Sequence, residues 1–549
     1  METKKSEQQG KRATSGNGDG PVGSVMVVGG GIAGVQAALD LAGSGYFVHL
    51  VEQSPGIGGV MAQLDKTFPT NDCSMCILSP KLVEGGRHLN INLLTMADLE
   101  ALDGEAGRFT ATVRERPRYV DMEKCIACGV CAEKCPRKVD DAFNEGLGKR
   151  KAAYVKYPQS VPLKYVLDEG NCIYFEKGKC RACEKFCPAG AIDFNQKPKT
   201  HTLEVGAVVL APGFKAFNPE LYLYGYGQLP NVVTSMEFER ILSASGPFEG
   251  HLVRPSDKTA PKKIAWLQCV GSRGSQHGAH NYCSGVCCMY AIKEAVIAKE
   301  HAHGNLDTAI FFMDMRTYGK EFERYYNRAK DETGVRFIRS RVHSVDRAAP
   351  GSDDLLLAYT DESGELHSEV FDLVVLSVGL EASKDMQELA GRIGVSLDDD
   401  GFVQTGSFSP VATSRPGVFV CGASAGPKDI PYSVMEASAA ASASAASLTA
   451  ARDTLTEKKT YPPETTIMGE EPRIGVFVCH CGINIAGVVD VPGVREYAKP
   501  LPNAVHVPNN LCTSSQDTQM LIRNAVKEHD RNRVVVAECT PRTHEQLFQ

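Results

Sequence analysis

Cys125, Cys128, Cys131 and Cys135, closed by Pro136, follow one another at intervals of three, three and four residues. A second run follows as Cys172, Cys180, Cys183 and Cys187, closed by Pro188. In this pattern three close thiolates wrap one face of an iron–sulfur cubane, and the remote fourth thiolate closes the other cluster. Crossing the runs in that way predicts one [4Fe–4S] cluster on Cys125, Cys128, Cys131 and Cys187, and a second on Cys172, Cys180, Cys183 and Cys135. Zinc knuckles or plain buried thiols are the alternative, and a spacing this specific disfavours them. Four further thiols, Cys269, Cys283, Cys287 and Cys288, fall at a strand end and a helix start. They suit a third cluster, although adjacent cysteines often supply one ligand between them, so a partly structural role stays open.

Gly29, Gly31 and Gly34 form G-x-G-x-x-G between a strand and a helix. The first glycine permits the tight turn, the second lets backbone approach a pyrophosphate, and the third lets helix and strand pack closely. The helix N-terminus offers N–H groups and a positive dipole end to phosphate. Glu52 ends the following strand, where a carboxylate accepts ribose hydroxyls. FAD is favoured over NAD because GAVVLAPGF, which contains Gly213, and GVFVCGAS, which contains Gly422, resemble later strand motifs of flavoproteins of the thioredoxin reductase type. Most such proteins carry Asp after the second of these glycines. Here Ala423 follows Gly422, so that contact is replaced or lost.

The second dinucleotide fingerprint of those flavoproteins is missing. The strand IAWLQC is followed by VGSRGSQHGAHNYCSGVCCMYAIKEA, with no G-x-G-x-x-G/A and with the thiol quartet in its place. Lys293, on the helix that begins near Gly285, is either a solvated face residue or an ammonium beside a flavin, where it would stabilise the reduced anion. Cys73 and Cys76 follow the ribose strand, and three roles stay open for them: cluster ligation or electron relay, a redox disulfide, or structural thiols. A position at a helix N-terminus would favour the thiolate.

The rest of the chain has to position these groups. Its 549 residues, 43% hydrophobic and 23% charged, suit several globular domains, and a net charge of −7 gives no reason to expect nucleic acid. Nineteen cysteines in a long chain without an apolar leader or spanning stretch point to metal ligation in a reducing cytoplasm. The predicted architecture is α/β: thioredoxin-reductase-like, Rossmann-type FAD-binding domains, an inserted ferredoxin domain with two [4Fe–4S] clusters, and a small C-terminal α/β segment. The expected divisions are a disordered tail over 1–21 and an FAD-binding domain in three pieces over 22–118, 198–260 and 384–452. The insert covers 119–197, a second Rossmann-like unit 261–383, a linker 453–472, and the cysteine-containing segment 473–549. The Ala/Ser run from about Tyr432 to Arg452 reads as a closely packed helix rather than a low-complexity linker.

Taken together, FPTNDCSMCILSPKLV, both cysteine runs, LQCVGS with YCSGVCCMYAIKEA, MDMRTYGKEFERYY, GPKDIPYSV, and VFVCHCGINIAGVVDV with TPRTHE resemble the iron–sulfur flavoprotein subunit of the CoB–CoM heterodisulfide reductase family, including its homologues in sulfate reducers. The resemblance spans nearly all of the chain beyond residue 21. It implies a cluster near the flavin that includes Cys283, Cys287 and Cys288, and a lysine at position 293 facing the flavin. It also implies flavin-based electron bifurcation within a hetero-oligomer: a hydrogenase or formate dehydrogenase, through an adaptor protein, delivers two electrons, one of which passes to ferredoxin and one to a disulfide-reducing subunit. An NADPH-dependent disulfide reductase and a non-catalytic relay are the competing functions. Two departures stand out. VFVCHCG lies after the FAD domain rather than before it, and the chain stops at THEQLFQ, just after a strand, as a fragment would. Cys479, Cys481, Cys512 and Cys539 are candidate ligands of one more cluster, with Cys512 displaced from the family position near Ser514.

Overall fold

Two five-stranded parallel sheets carry the architecture. The computed structural model describes residues 20–275, 278–460, 464, 466–481, 485–510, 513–528, 530–538 and 540–548. Most of the expected N-terminal tail, part of the linker, and both Cys512 and Cys539 lie outside the described residues.

The first sheet has the order Val418–Val420, Ala207–Leu210, Ser24–Val28, Phe47–Glu52, Ile91–Thr95. Its strands are near-continuous apolar runs because both faces are covered, one by helices and the other by the antiparallel strands Ala97–Glu105, Arg108–Glu115 and Lys199–Val205. The helix Ile32–Gly43 fills one face through Val35, Ala37, Ala38 and Leu41. Against it lies the helix Ile430–Ser447, whose buried residues Ser433, Ala437, Ala440, Ala441 and Ser444 recur at helical spacing. Small side chains on that stripe let the two helices approach closely. Tyr46 donates to the Ala445 carbonyl at 2.9 Å, and Ser438 to Asp40 at 2.6 Å. The Ala/Ser run is therefore a packed helix, capped by Asp429, which accepts from the Tyr432 N–H.

The second sheet has the order Val232–Thr234, Leu373–Val378, Lys263–Val270, Asp307–Phe312, Arg336–Arg339. Its edge strand and the helix Ser235–Leu242 come from residues expected in the FAD-binding domain, so this sheet begins about thirty residues earlier than the sequence division at 261. A capping box fixes the turn between them: the Thr234 side chain accepts from the Glu237 N–H, and Glu237 accepts from the Thr234 N–H. The helix Cys287–His301 packs on this sheet through Met289, Ile292, Ala295 and Val296.

The cysteine runs leave and rejoin the fold at one place. Strand Arg108–Glu115 pairs antiparallel with Lys199–Val205, and Glu115 is the register partner of Lys199. The insert enters and leaves through one pair of neighbouring strand ends. It docks back on the fold through the Ile57 N–H, which donates to the Val161 carbonyl at 2.9 Å, and through Tyr157 and Val161, which are buried in the core of the first sheet. At the C-terminus, strands Ala504–His506, Ile474–Cys479, Asn509–Asn510 and Arg533–Ala537 form a small parallel sheet, and the residues after the last of them, which the sequence reading left without an element, form a helix, Pro541–Phe548. No helix among the described residues is long and apolar enough to cross a membrane.

Candidate functional site

The carboxyl ends of strands from both sheets face one cavity of about 510 Å³. That is where an open parallel sheet places its ligands, and the volume suits a large organic cofactor. Gly29, Gly31, Glu52, Gly213, Gly422 and Lys293 all line it. Gly29 has φ +107°, and a Cβ there would lie 2.2 Å from the Ala211 carbonyl oxygen. A Cβ on Gly34 would lie 1.8 Å from the Gly29 carbonyl oxygen. Gly213, at φ +81°, has nothing within 4 Å of its Cβ position, so that side is open to a ligand. The helix Ile32–Gly43 starts at Gly31 without a side-chain cap, leaving its N-terminus turned to the cavity. Both Glu52 oxygens hold backbone N–H groups, those of Gly30 at 2.7 Å and Ser54 at 2.8 Å. The carboxylate is thereby fixed and keeps further lone pairs for a ribose hydroxyl. These residues fit FAD.

The glycines give a direct test. Gly34→Ala is expected to lower stability by about 1–3 kcal/mol through overpacking and to cost the bound flavin. Gly43, on the same helix with nothing within 4 Å of its Cβ position, is expected to tolerate Ala or gain about 0.5–1 kcal/mol. Thermal unfolding and flavin content, measured side by side, check both.

Lys293 is not on a solvated face. It is 2% exposed and ion-paired with Glu239, itself 2% exposed, on the helix Ser235–Leu242. The second Glu239 oxygen accepts from the Asp65 backbone N–H at 2.9 Å. Burial, the first cause, and the neighbouring Glu239 raise the Asp65 carboxyl to about 6, although Lys66, Lys293 and Arg240 oppose the shift. Glu294 is fully buried beside Lys293 and accepts from the Trp266 indole N–H at 2.9 Å. Glu239, Glu294 and Asp429 all border the cavity, and none was singled out from sequence. Glu239 and Glu294 meet partners remote in the chain, so no local spacing announces them, while Asp429 has only the local signal of a helix cap.

The ferredoxin-type cysteines fall into the crossed sets. Cys125, Cys128, Cys131 and Cys187 line one small cavity. Cys135, Cys172, Cys180 and Cys183 line another. Burial and then the nearby Cys125, Cys183 and Cys128 sulfurs push Cys131 up to about 12. Burial and then Cys172, Cys135 and Cys180 do the same to Cys183. Thiols crowded in this way suit a cation that displaces their protons. The Ala182–Lys185 turn that follows Arg181, at φ +61°, carries Cys183 inward, while Cys128 and Cys180 stay exposed.

The quartet lies beside the flavin cavity. A bulge in strand Lys263–Val270 between Leu267 and Val270, with Cys269 at φ +61°, turns that thiol out of the regular ladder. Cys287 is buried and its Sγ contacts the Val378 carbonyl at 3.7 Å, while the Cys288 Sγ contacts the Asp314 carbonyl at 3.9 Å. The adjacent pair thus points to different neighbours. Burial first, and then the other quartet sulfurs, raise Cys287 and Cys288, the latter to about 11. Val286 and Tyr290, either side of Cys287 and Cys288, line the cavity.

Cys73 caps the helix Ser74–Arg87, and its sulfur accepts from the Cys76 N–H at 3.4 Å. The Cys76 side chain, the first cause, lowers its thiol against the opposing effect of burial. Ile77, one residue on, lines the cavity. In the C-terminal sheet Cys479 lies beside Cys481, whose side chain is the first cause of a thiol lowered to about 7. Glu538 contacts the Cys479 sulfur at 3.8 Å and accepts from the Ser514 N–H at 3.0 Å.

Comparison with known proteins agrees with this layout. The family described as FAD dependent oxidoreductase matches residues 24–75, the 4Fe-4S binding domain matches 118–139, and the pyridine nucleotide-disulphide oxidoreductase family matches 305–444. An iron-sulfur subunit of the CoB–CoM heterodisulfide reductase of Methanocaldococcus jannaschii is 45% identical over 424 residues, 76% of this chain and 63% of that protein. The corresponding subunit of the H(2)/formate:CoB-CoM heterodisulfide,ferredoxin reductase of Methanococcus maripaludis is also 45% identical over 424 residues, with the same coverage. The chain thus spans somewhat less than two thirds of the length of these relatives. A thioredoxin reductase of T. acidophilum aligns over 79% of this chain and 100% of its own at 14% identity, with a TM-score of 0.43.

Proposed function

From a chain homologous over 76% of its length to the iron-sulfur flavoprotein subunits of CoB–CoM heterodisulfide reductases, we infer an FAD- and [4Fe–4S]-dependent oxidoreductase subunit of a heterodisulfide-reductase-like complex. In this reading a two-electron donor, such as a hydrogenase or formate dehydrogenase acting through an adaptor, supplies the electrons. They leave singly to ferredoxin and to a disulfide-reducing partner protein, by flavin-based bifurcation. FAD, when bound, supplies the interchange between two-electron and one-electron chemistry. Gly29, Gly31 and Gly34 with the Ile32–Gly43 helix N-terminus hold the pyrophosphate, Glu52 the ribose, and Gly213 and Gly422 admit the rest of the cofactor. Lys293 opposes the negative charge of the reduced form. Cys269, Cys283, Cys287 and Cys288 hold a cluster next to the flavin, the two crossed sets hold the ferredoxin cubanes, and Cys73 with Cys76 forms a redox-active pair beside the cavity. Cys479 and Cys481, with Cys512 and Cys539, are assigned to a fourth cluster.

One observation carries this reading. Four thiols, Cys269, Cys283, Cys287 and Cys288, adjoin the cavity through Val286 and Tyr290, where a pyridine-nucleotide glycine loop would otherwise stand. Anaerobic purification with iron and flavin quantification is expected to give about twelve irons per FAD, at four per cubane, and about sixteen with the C-terminal cluster filled. NADH and NADPH are expected to leave the flavin oxidised, and the two one-electron potentials of the flavin are expected to be strongly crossed. Zinc in place of iron, or rapid bleaching by NADPH, would overturn the assignment in favour of a simple disulfide reductase. Uncrossed potentials would leave a one-electron relay.

A further inference from the structure

Glu294 is buried at the wall of the cavity with one of its oxygens lacking a donor. Its Oε2 accepts from the Trp266 indole at 2.9 Å. Its Oε1 has no hydrogen-bond donor among the described residues, and the Glu239 carboxylate is a close neighbour of Glu294. Two carboxylates are both acceptors, so they can be partners only if one of them holds a proton. Leaving both ionised and fully buried would set like charges against each other with no solvent between them. Glu239 is already committed as the counter-ion of Lys293 and as acceptor of the Asp65 N–H. Glu294, whose own neighbour is a neutral indole, is the one that can be neutral.

The surroundings point the same way. Lys293 precedes it on the helix, Glu239 faces it from the helix Ser235–Leu242, and Trp266 from the strand Lys263–Val270. Tyr290 lies within electrostatic reach one turn back. Asp65 and Arg240 are neighbours of Glu239, and Lys66 is a neighbour of Asp65. Arg240 is turned away, its guanidinium donating to the Asn144 side chain at 2.9 Å and the Gln63 carbonyl at 2.8 Å. Burial first, and Glu239 second, hold the Glu294 carboxyl well above the usual range.

We propose that Glu294 is a proton store for the flavin cavity, connected to it through Glu239 and Lys293. The proposal rests on the flavin reading above. When the Lys293 ammonium releases a proton to an acceptor in the cavity, the Glu294 O–H bond breaks and its proton passes to the Glu239 carboxylate. Glu239 hands it to the Lys293 Nζ, restoring the ammonium. One proton has entered the cavity and Glu294 is left as a carboxylate. Glu294 stays ionised while the flavin is reduced, and the proton returns to it by the same path when the flavin is reoxidised. The positive charge beside the cavity is thereby restored after each transfer, although the group that supplies the proton never faces solvent.

Infrared difference spectroscopy of the flavin-loaded protein tests this. The oxidised protein is expected to show the carbonyl band of a neutral carboxylic acid that shifts in deuterated water and weakens when the flavin is reduced. In Glu294→Gln that band is expected to vanish. The Gln carbonyl still accepts from Trp266 and its amide donates to Glu239, so thermal unfolding is expected to stay close to the parent. Proton uptake accompanying flavin reduction is expected to slow by about 100-fold in this variant, as for loss of a general acid, and Glu294→Asp is expected to restore both the band and most of the rate. A band that survives in Glu294→Gln, or its absence from the parent, would show that Glu294 is ionised. A band indifferent to flavin reduction would make it a structural acid only. Protein that binds no flavin would count against the functional reading instead, and the neutral-acid band can still be read in that flavin-free protein.

Discussion

Pairing cysteine variants is expected to distinguish crossed from uncrossed clusters by iron content alone. Cys125→Ala combined with Cys187→Ala strikes two residues lining the same small cavity, and the loss is expected to be about four irons per chain. Cys125→Ala combined with Cys135→Ala strikes residues of the same sequence run but of different cavities, and the loss is expected to be about eight irons. Clusters formed within each run would reverse the two results. The effect should reach the local fold as well. Cys125, Cys131 and Cys183 are buried members of one small core with Tyr119, Val120, Leu167 and Phe194, and Cys135, Cys172 and Cys187 pack against it. So much of that core is sulfur that iron binding and folding of residues 116–198 are coupled. Limited proteolysis of iron-depleted protein is therefore expected to cut this segment while both parallel sheets survive. The chain enters and leaves the segment through adjacent strand ends, while Tyr157 and Val161 anchor its middle in the core of the first sheet, so the cuts are expected in the two cysteine runs on either side of that anchor.

The second large effect is expected at the buried ion pair. Lys293→Met leaves Glu239, 2% exposed, without its counter-ion. Removing one member of such a pair typically costs about 3–5 kcal/mol, because the remaining charge stays buried and unpaired. Lys293→Met combined with Glu239→Gln is expected to recover most of the loss, and urea titration of the two single variants and the double variant gives the coupling energy directly. The same substitution has a functional readout. Withdrawing the ammonium from the cavity wall removes the charge that favours the reduced anion, so the flavin potential of Lys293→Met protein is expected to fall. Iron content should stay at the parent level, because Lys293 supplies no ligand. Parental stability in the single variant would indicate that Glu239 takes up a proton at little cost, and would move the charge balance of the site onto Glu239 rather than Glu294.

The features legible in the sequence are those whose physics is local. A cubane needs thiolates a few residues apart, so Cys125, Cys128 and Cys131 declare themselves by interval. The remote fourth ligand follows from the same geometry, and Cys187 and Cys135 line the expected cavities. A pyrophosphate turn needs glycine where a Cβ would strike backbone, as at Gly29 and Gly34, and that too is written within six residues. The alternation of apolar strands and helices announced two Rossmann-type sheets for the same reason.

Tertiary packing decided what the sequence left open. The edge strand Val232–Thr234 joined the second sheet because its residues pair with Val374, Val375 and Leu376, a match made across more than a hundred residues. Lys293 read equally well as a solvated lysine, since an amphipathic period says which face is apolar but not whether a cation on that face meets an acid. Glu239, 54 residues away, supplies that acid, and Trp266, 28 residues away, holds Glu294 beside it. Metal spacing and glycine turns are constraints on neighbouring residues, so the sequence alone determined the cofactor classes. The charge and proton balance of the cavity is set by groups that meet only when the second sheet and its helices close over it, and that belonged to the tertiary structure.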